Sequence, residues 1–155
     1  YGDHRDLHYP LRRQRQMCIR DRDIDDGRVI PNFVKFALEG KRLPIYGDGS
    51  QTRSYCYVDD LVRGLLVLMS KDGLKGETVN LGNPNELTVL QTAKIIEQIV
   101  NGELQNQLEF EYLPLPKDDP TRRKPDITKA RQLLDWEPQV DFEEGLKKTV
   151  EFFKK

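Results

Sequence analysis

From Asp23 onward, short strand-like runs alternate with segments whose apolar residues recur at helical spacing. This alternation leaves few folds open: such strands must pair into sheets, and each helix must lay one apolar face on them, which is an α/β or α+β arrangement. Pro31 to Glu39 reads as the first helix, with Pro31 suited to a first turn and Gly40 to the position past the end. Its apolar face is Phe33, Val34, Ala37 and Leu38. Leu43 to Tyr46 reads as a strand, Gly47-Asp-Gly-Ser50 as a turn, and Arg53 to Val58 as a second strand rich in aromatic and β-branched residues. Asp59 suits the cap of a helix that reaches Ser70. Thr78 to Leu81 reads as a strand broken by Gly82-Asn-Pro84. Thr88 and Gln91 form a capping-box pair, opening a helix with Val89, Ala93, Ile96 and Val100 on one face. Leu108 to Leu113 alternates and reads as a strand, and Pro114 to Pro125, with four prolines and four basic residues, as a loop. Asp126 suits the cap of a helix through Leu134, and Asp141 and Glu144 open a last helix bearing Phe142, Leu146, Val150 and Phe153.

Residues 1–22 do not share this order. Pro10 to Arg22 carries five arginines and no amphipathic period, so a boundary falls near residue 22, with 23–155 as the folded domain. The net charge is -1, which suggests neither a nucleic-acid partner nor an acidic membrane surface. No apolar run approaches the roughly 18–20 residues that span a bilayer, and the polar, Arg-rich start is no signal peptide. Cys18 and Cys56 make neither a disulfide framework nor a metal spacing, which fits two reduced thiols in the cytoplasm and no metal.

Three polar segments interrupt the packing pattern. In Pro44-Ile-Tyr-Gly-Asp-Gly-Ser-Gln-Thr-Arg53, the glycines allow close backbone approach to a ligand, and Gln51 and Arg53 offer donors, the guanidinium suiting a diphosphate. On its own the segment also reads as a plain hairpin. Arg122, Arg123 and Lys124 stand beside the helix start at Asp126, either as an anion site or as a solvated loop. Arg28 and Asn32 flank the start of the first helix, where surface and capping roles also fit.

Together these segments resemble a family. Gly47-Asp-Gly-Ser-Gln-Thr-Arg-Ser-Tyr-Cys-Tyr-Val-Asp-Asp-Leu61 is similar to the substrate-domain motif of extended short-chain dehydrogenases acting on nucleotide sugars. Asn80-Leu-Gly-Asn-Pro84, Asp118-Asp-Pro-Thr-Arg-Arg-Lys-Pro-Asp-Ile127 and Leu134-Asp-Trp-Glu-Pro138 narrow the resemblance to UDP-glucuronate decarboxylases, also called UDP-xylose synthases. Each motif alone is shared with sugar-nucleotide epimerases and 4,6-dehydratases. The resemblance implies the substrate-binding, C-terminal portion of a Rossmann-type α/β enzyme, cytoplasmic and dimeric at full length. The implied reaction is oxidation at C4 of UDP-glucuronate with NAD as acceptor, loss of carbon dioxide from the β-keto acid, and reduction to UDP-xylose. Pro44, Ile45, Tyr46, Gly47 and Gln51 would wrap the uridine and diphosphate, with Arg53 on phosphate. Asn32 and Phe33 would lie beside the nucleotide, Arg28 near the cofactor and sugar, and Arg123 against the sugar carboxylate as the catalytic cation.

Two departures accompany the resemblance. The family reads Tyr-Gly-Pro-Arg-Met before the Asp25-Asp-Gly-Arg28 segment, whereas Tyr1-Gly2 here is followed by Asp3-His-Arg-Asp6 and the Arg-rich run, which looks like translated foreign sequence. The sequence also contains no glycine-rich dinucleotide motif and no Tyr-x-x-x-Lys pair. The expectation is a chain without turnover of its own, whether as a piece of a decarboxylase or as a non-catalytic UDP-sugar-binding module. Partly exposed apolar helix faces would make it poorly soluble.

Overall fold

The computed structural model describes residues 28–74, 76–104, 108–115 and 121–154. In chain order these form α1 (Val29–Leu38), β1 (Leu43–Tyr46), β2 (Thr52–Ser54), α2 (Val58–Ser70), β3 (Glu86–Thr88), α3 (Val89–Leu104), β4 (Phe110–Leu113), β5 (Arg122–Arg123), α4 (Thr128–Leu134) and α5 (Phe142–Phe153). The Arg-rich run, the boundary near residue 22 and Lys117 to Pro120 lie outside the described residues. β1 and β4 form a parallel pair with Leu43 opposite Phe110 and Tyr46 opposite Leu113. A second sheet has β2 at its centre, antiparallel to β3 and parallel to β5.

The apolar stripes fill two cores. In the first, Leu43 and Ile45 of β1 meet Phe33, Val34 and Ala37 of α1, Val89, Ala93, Ile96 and Val100 of α3, and Leu146 and Val150 of α5. Spacings of three and four put these residues on single helix faces, as the sequence pattern anticipates. The second core surrounds Trp136, packed with Ile127, Ala130, Leu134, Val67 and Leu68. Gly64 admits the indole: a Cβ there would lie 2.8 Å from the Trp136 ring. The indole N–H donates to the Asp60 carbonyl at 3.0 Å. The buried Asp60 carboxylate accepts from the amides of Gln139 (3.0 Å) and Val140 (2.8 Å) and from Arg63 (2.9 Å), tying α2 to the chain entering α5. Tyr55 packs beside the first core, its ring centroid 5.4 Å from that of Phe142.

The caps are largely those anticipated. The Thr88 amide donates to Gln91 Oε1 at 2.8 Å and the Gln91 amide to Thr88 Oγ1 at 3.0 Å, the reciprocal pair of a capping box. Asp141 accepts from the Glu143 amide at 3.0 Å, and Asp126 from the Thr128 amide at 2.9 Å, one residue further from its helix than a regular N-cap.

Several boundaries differ. α1 begins at Val29, so Pro31 is its third residue; its missing N–H costs nothing there, because the first amides of a helix have no intrahelical partner. The second strand ends at Ser54 because Tyr57 already caps α2; Asp59 lies inside the first turn, where a carboxylate opposes the helix dipole. Thr78 to Leu81 is no strand, since no described strand pairs with it. Conversely, β5 lies in the stretch read as a loop, held by pairing with β2, and β4 starts only at Phe110.

Candidate functional site

The segment from Pro44 to Arg53 is not a hairpin, because β1 and β2 belong to different sheets. It crosses between them over the start of α3. Gly47 (φ +67°) and Gly49 (φ +74°) adopt left-handed conformations that favour glycine. A Cβ on Gly49 would lie 2.9 Å from Ile45 Cγ2 and 3.0 Å from Leu90 Cβ. The carbonyls of Gly49 and Gln51 accept from the amides of Leu90 (3.1 Å) and Val89 (3.0 Å). The loop thus consumes the first donors of α3. Gln51 is 9% exposed, and its side-chain amide donates to the Tyr46 carbonyl at 2.9 Å, closing the turn. Hydrogen bonds from Ser50, side chain and then backbone, hold the Asp48 carboxyl below its ordinary value.

Beyond the turn, alternation sorts the side chains of the second sheet onto two faces. Thr52 stands opposite Arg122, and Ser54 opposite Glu86. On that face Glu86 accepts from Thr52 Oγ1 (2.9 Å) and from a two-pronged Arg122 fork, Nε at 2.8 Å and a terminal nitrogen at 2.7 Å. Lys124 Nζ lies 3.7 Å away. The Arg122 hydrogen bonds are the main cause that pulls the Glu86 carboxyl down to about 2.

The other face carries Arg53 and Arg123, opposite one another in the parallel register, with Leu87 on the far side of Arg53. Neighbouring strands run about 4.8 Å apart, so two arginines rise side by side from adjacent backbones. Like charges directly opposite in a sheet are unfavourable unless an anion lies between them. Arg53 reaches back to the Thr52 carbonyl at 2.8 Å, and Arg123 is exposed.

The structure therefore brings Tyr46, Gly47, Gln51 and Arg53 onto one continuous segment and sets Arg123 beside its end. Pro44 and Ile45 are buried in β1, paired with Glu111 and Tyr112 of β4, while Tyr46 is 41% exposed. Arg28, Asn32 and Phe33 lie instead on or before α1, which contacts β1. Phe33 is buried in the first core, and the Asn32 amide donates to the Arg28 carbonyl at 2.9 Å. The three-base cluster read at Arg122, Arg123 and Lys124 divides: Arg122 and Lys124 turn to Glu86, and Arg123 faces the opposite way. Sequence reasoning missed Glu86, whose partners lie 34 to 38 residues away and leave no local pattern.

Among the described residues, no cluster of His, Cys, Asp and Glu could hold a metal ion. No helix among the described residues is long and apolar enough to cross a membrane. The helix start that a loop wraps, α3, has its first donors taken by protein carbonyls and its capping box, so this glycine turn offers no cradle for a pyrophosphate at that helix end.

An α/β unit with a paired-arginine face beside a glycine turn is suited to grip an anionic ligand. The family model described as GDP-mannose 4,6 dehydratase matches residues 19–149, and the chain belongs to that family. Its fold is that of the substrate-binding portion of extended Rossmann-type short-chain dehydrogenases. The chain is 48% identical over 132 residues to UDP-glucuronic acid decarboxylase 1 of Xenopus tropicalis, an alignment that covers 85% of this chain and 30% of the relative. It superposes on UDP-glucose 4-epimerase of Thermotoga maritima, solved with UDP-glucose, with a TM-score of 0.77 and 38% identity, covering 85% of this chain and 41% of that one. UDP-glucuronic acid 4-epimerase of Bacillus cereus, solved with UDP-glucuronic acid and NAD, gives 0.76 and 29%, covering 83% and 40%. The motif resemblance thus extends over most of the sequence, while the chain spans well under half the length of each relative.

Proposed function

We propose that this chain is the nucleotide-sugar-binding portion of a UDP-glucuronate decarboxylase, the longer polypeptide converting UDP-glucuronate to UDP-xylose and carbon dioxide. The observation that carries the reading is the register of β2 against β5, which sets Arg53 beside Arg123 on one face. UDP-glucuronate carries two separate anionic groups, a diphosphate and a sugar carboxylate. Arg53 holds the phosphate and Arg123 the carboxylate, and a fixed cation there keeps the carboxylate in place for its loss. The turn from Pro44 to Gln51 lines the uridine, with Asn32 and Phe33 beside the nucleotide and Arg28 toward the cofactor. NAD binding, dimerisation and a cytoplasmic setting belong to the longer polypeptide and rest on the resemblance. The identity to decarboxylases favours this activity over a 4-epimerase or 4,6-dehydratase on the same scaffold.

Calorimetric titration of the chain with UDP, UDP-glucose and UDP-glucuronate tests the grip. Saturable UDP binding is expected, weakened about tenfold or more by Arg53→Ala, as for loss of a charge-assisted hydrogen bond. Absence of UDP binding, or an Arg53→Ala chain that binds like wild type, overturns the site. Carboxyl-labelled UDP-glucuronate tests the reaction: labelled carbon dioxide is expected from a polypeptide of the relatives' full length and none from this chain alone. An epimerase or dehydratase releases none in either case, and UDP-xylose made by this chain alone contradicts the division of labour.

A further inference from the structure

We infer that Glu86 is a positioning residue: by gripping Arg122 on one face of the second sheet, it fixes β5 so that Arg123, one residue on, is presented to the ligand on the other face. The inference rests on the reading that Arg123 meets the sugar carboxylate.

β5 is two residues long and, among the described residues, lies at the sheet edge, paired with β2 alone. A strand this short has little stability of its own and needs an external hold. Its backbone register with β2 amounts to two residue pairs, Thr52 with Arg122 and Arg53 with Arg123. The Thr52 amide also donates to the Thr121 carbonyl at 2.9 Å just before β5, and Glu86 adds a side-chain hold. It sits in β3, paired with Ser54, and its carboxylate accepts from Thr52 of β2 and twice from Arg122 of β5. One side chain thereby bolts all three strands together. Lys124, just past β5, adds charge at 3.7 Å.

Exposed ion pairs are commonly worth little, because two long side chains must be ordered in water. In this pair Arg122 is 66% exposed but the acceptor side chain only 17%, the fork is bidentate, and a neutral hydroxyl completes the site, so geometry rather than burial is what holds it. Alternation turns this hold into function. Successive side chains of a strand point to opposite faces, so β5 cannot slip along β2 without displacing both Arg122 and Arg123. Glu86 never approaches the Arg123 face, so its effect on a ligand runs through the β5 backbone.

The test measures affinities of the chain for UDP, UDP-glucose and UDP-glucuronate in wild type, Glu86→Gln, Arg123→Ala and the double variant. Wild type is expected to prefer UDP-glucuronate over UDP-glucose about tenfold, as for one charge-assisted hydrogen bond to the carboxylate. Glu86→Gln should reduce that preference to within about twofold and leave UDP affinity within the same margin. The double variant should show no less preference than Arg123→Ala alone, since both act through one contact. If Glu86→Gln loses its native circular dichroism, Arg122→Ala removes the same bolt from the other strand and is read in the same way. A retained preference in the variant refutes positioning, and so does a parallel fall in UDP affinity, which would mark Glu86 as support for the sheet alone. Wild type that binds UDP without preference removes the role of Arg123 and this inference with it. Wild type that binds no UDP strikes the proposed function itself.

Discussion

Burial works against ionising Asp60, but the Val140 amide, the Arg63 guanidinium and the Gln139 amide outweigh it and hold the carboxyl below its ordinary value. A carboxylate depressed in the folded state stabilises in its ionised form. Its contribution is complete above the unfolded value, near about 3.9, and is lost as pH falls through the folded one. Asp60→Asn keeps the shape but turns an N–H toward groups that are themselves donors. At neutral pH the variant should be about 2–4 kcal/mol less stable, as expected for spoiling a buried, hydrogen-bonded charge. Urea unfolding at a series of pH values is the measurement: the gap between the two chains should close as the wild-type carboxyl protonates below about pH 4. A gap that stays constant down to the acid limit would place the effect in packing rather than in the charge. Glu86 follows the same sign for the same reason, with Arg122 as its main cause, and should remain ionised wherever the chain is folded near neutrality.

At the scale of elements, two glycines in helices make opposite forecasts. A methyl on Gly64 would lie 2.8 Å from the ring of Trp136, which is 1% exposed and has nowhere to go. Gly64→Ala should cost about 1–3 kcal/mol through overpacking, despite the better helix propensity of alanine. Gly102 of α3 has nothing within 4 Å of its would-be Cβ, so Gly102→Ala should gain up to about 1 kcal/mol. Thermal unfolding of the pair separates contact from propensity, and equal shifts of one sign would refute the account. The same contrast explains what was legible in the sequence. Helix faces were, because a period of three and four is local: Phe33, Val34 and Ala37, or Leu146 and Val150, are buried as their spacing demands. The Thr88–Gln91 cap was legible because both halves lie within four residues. β5 was not, since two arginines among prolines carry no strand pattern and owe their conformation to β2, some seventy residues earlier. Thr78 to Leu81 failed the other way: its pattern is strand-like, but a strand needs a partner, and none is described. In the candidate site, Arg53 and Arg123 were singled out through motif resemblance, whereas their juxtaposition and the Glu86 bolt exist only once three distant segments pair.

Across the whole molecule, α2 is apolar on two sides. One side buries Gly64 and packs Val67 and Leu68 against the Trp136 core. The other exposes Val62 (36%), Leu66 (60%) and Met69 (79%), spaced by four and three and therefore one continuous stripe. A contiguous exposed apolar stripe on a helix is ordinarily covered by another surface. A net charge of -1 provides little repulsion to keep copies of the chain apart. The chain should therefore self-associate as its concentration rises, through apolar contact rather than ion pairing, so added salt should not disperse it. Leu66→Lys with Met69→Lys places two charges in the middle of the stripe without touching the buried side of α2 or the arginine face of the second sheet. Light scattering should fall to the monomer value in this variant, with circular dichroism and UDP affinity unchanged. A wild-type chain that stays monomeric at every concentration would show the stripe to be innocuous. Association that persists in the double variant would move its cause elsewhere on the surface, with Tyr112 and Leu115, 59% and 50% exposed near the end of β4, the next residues to change.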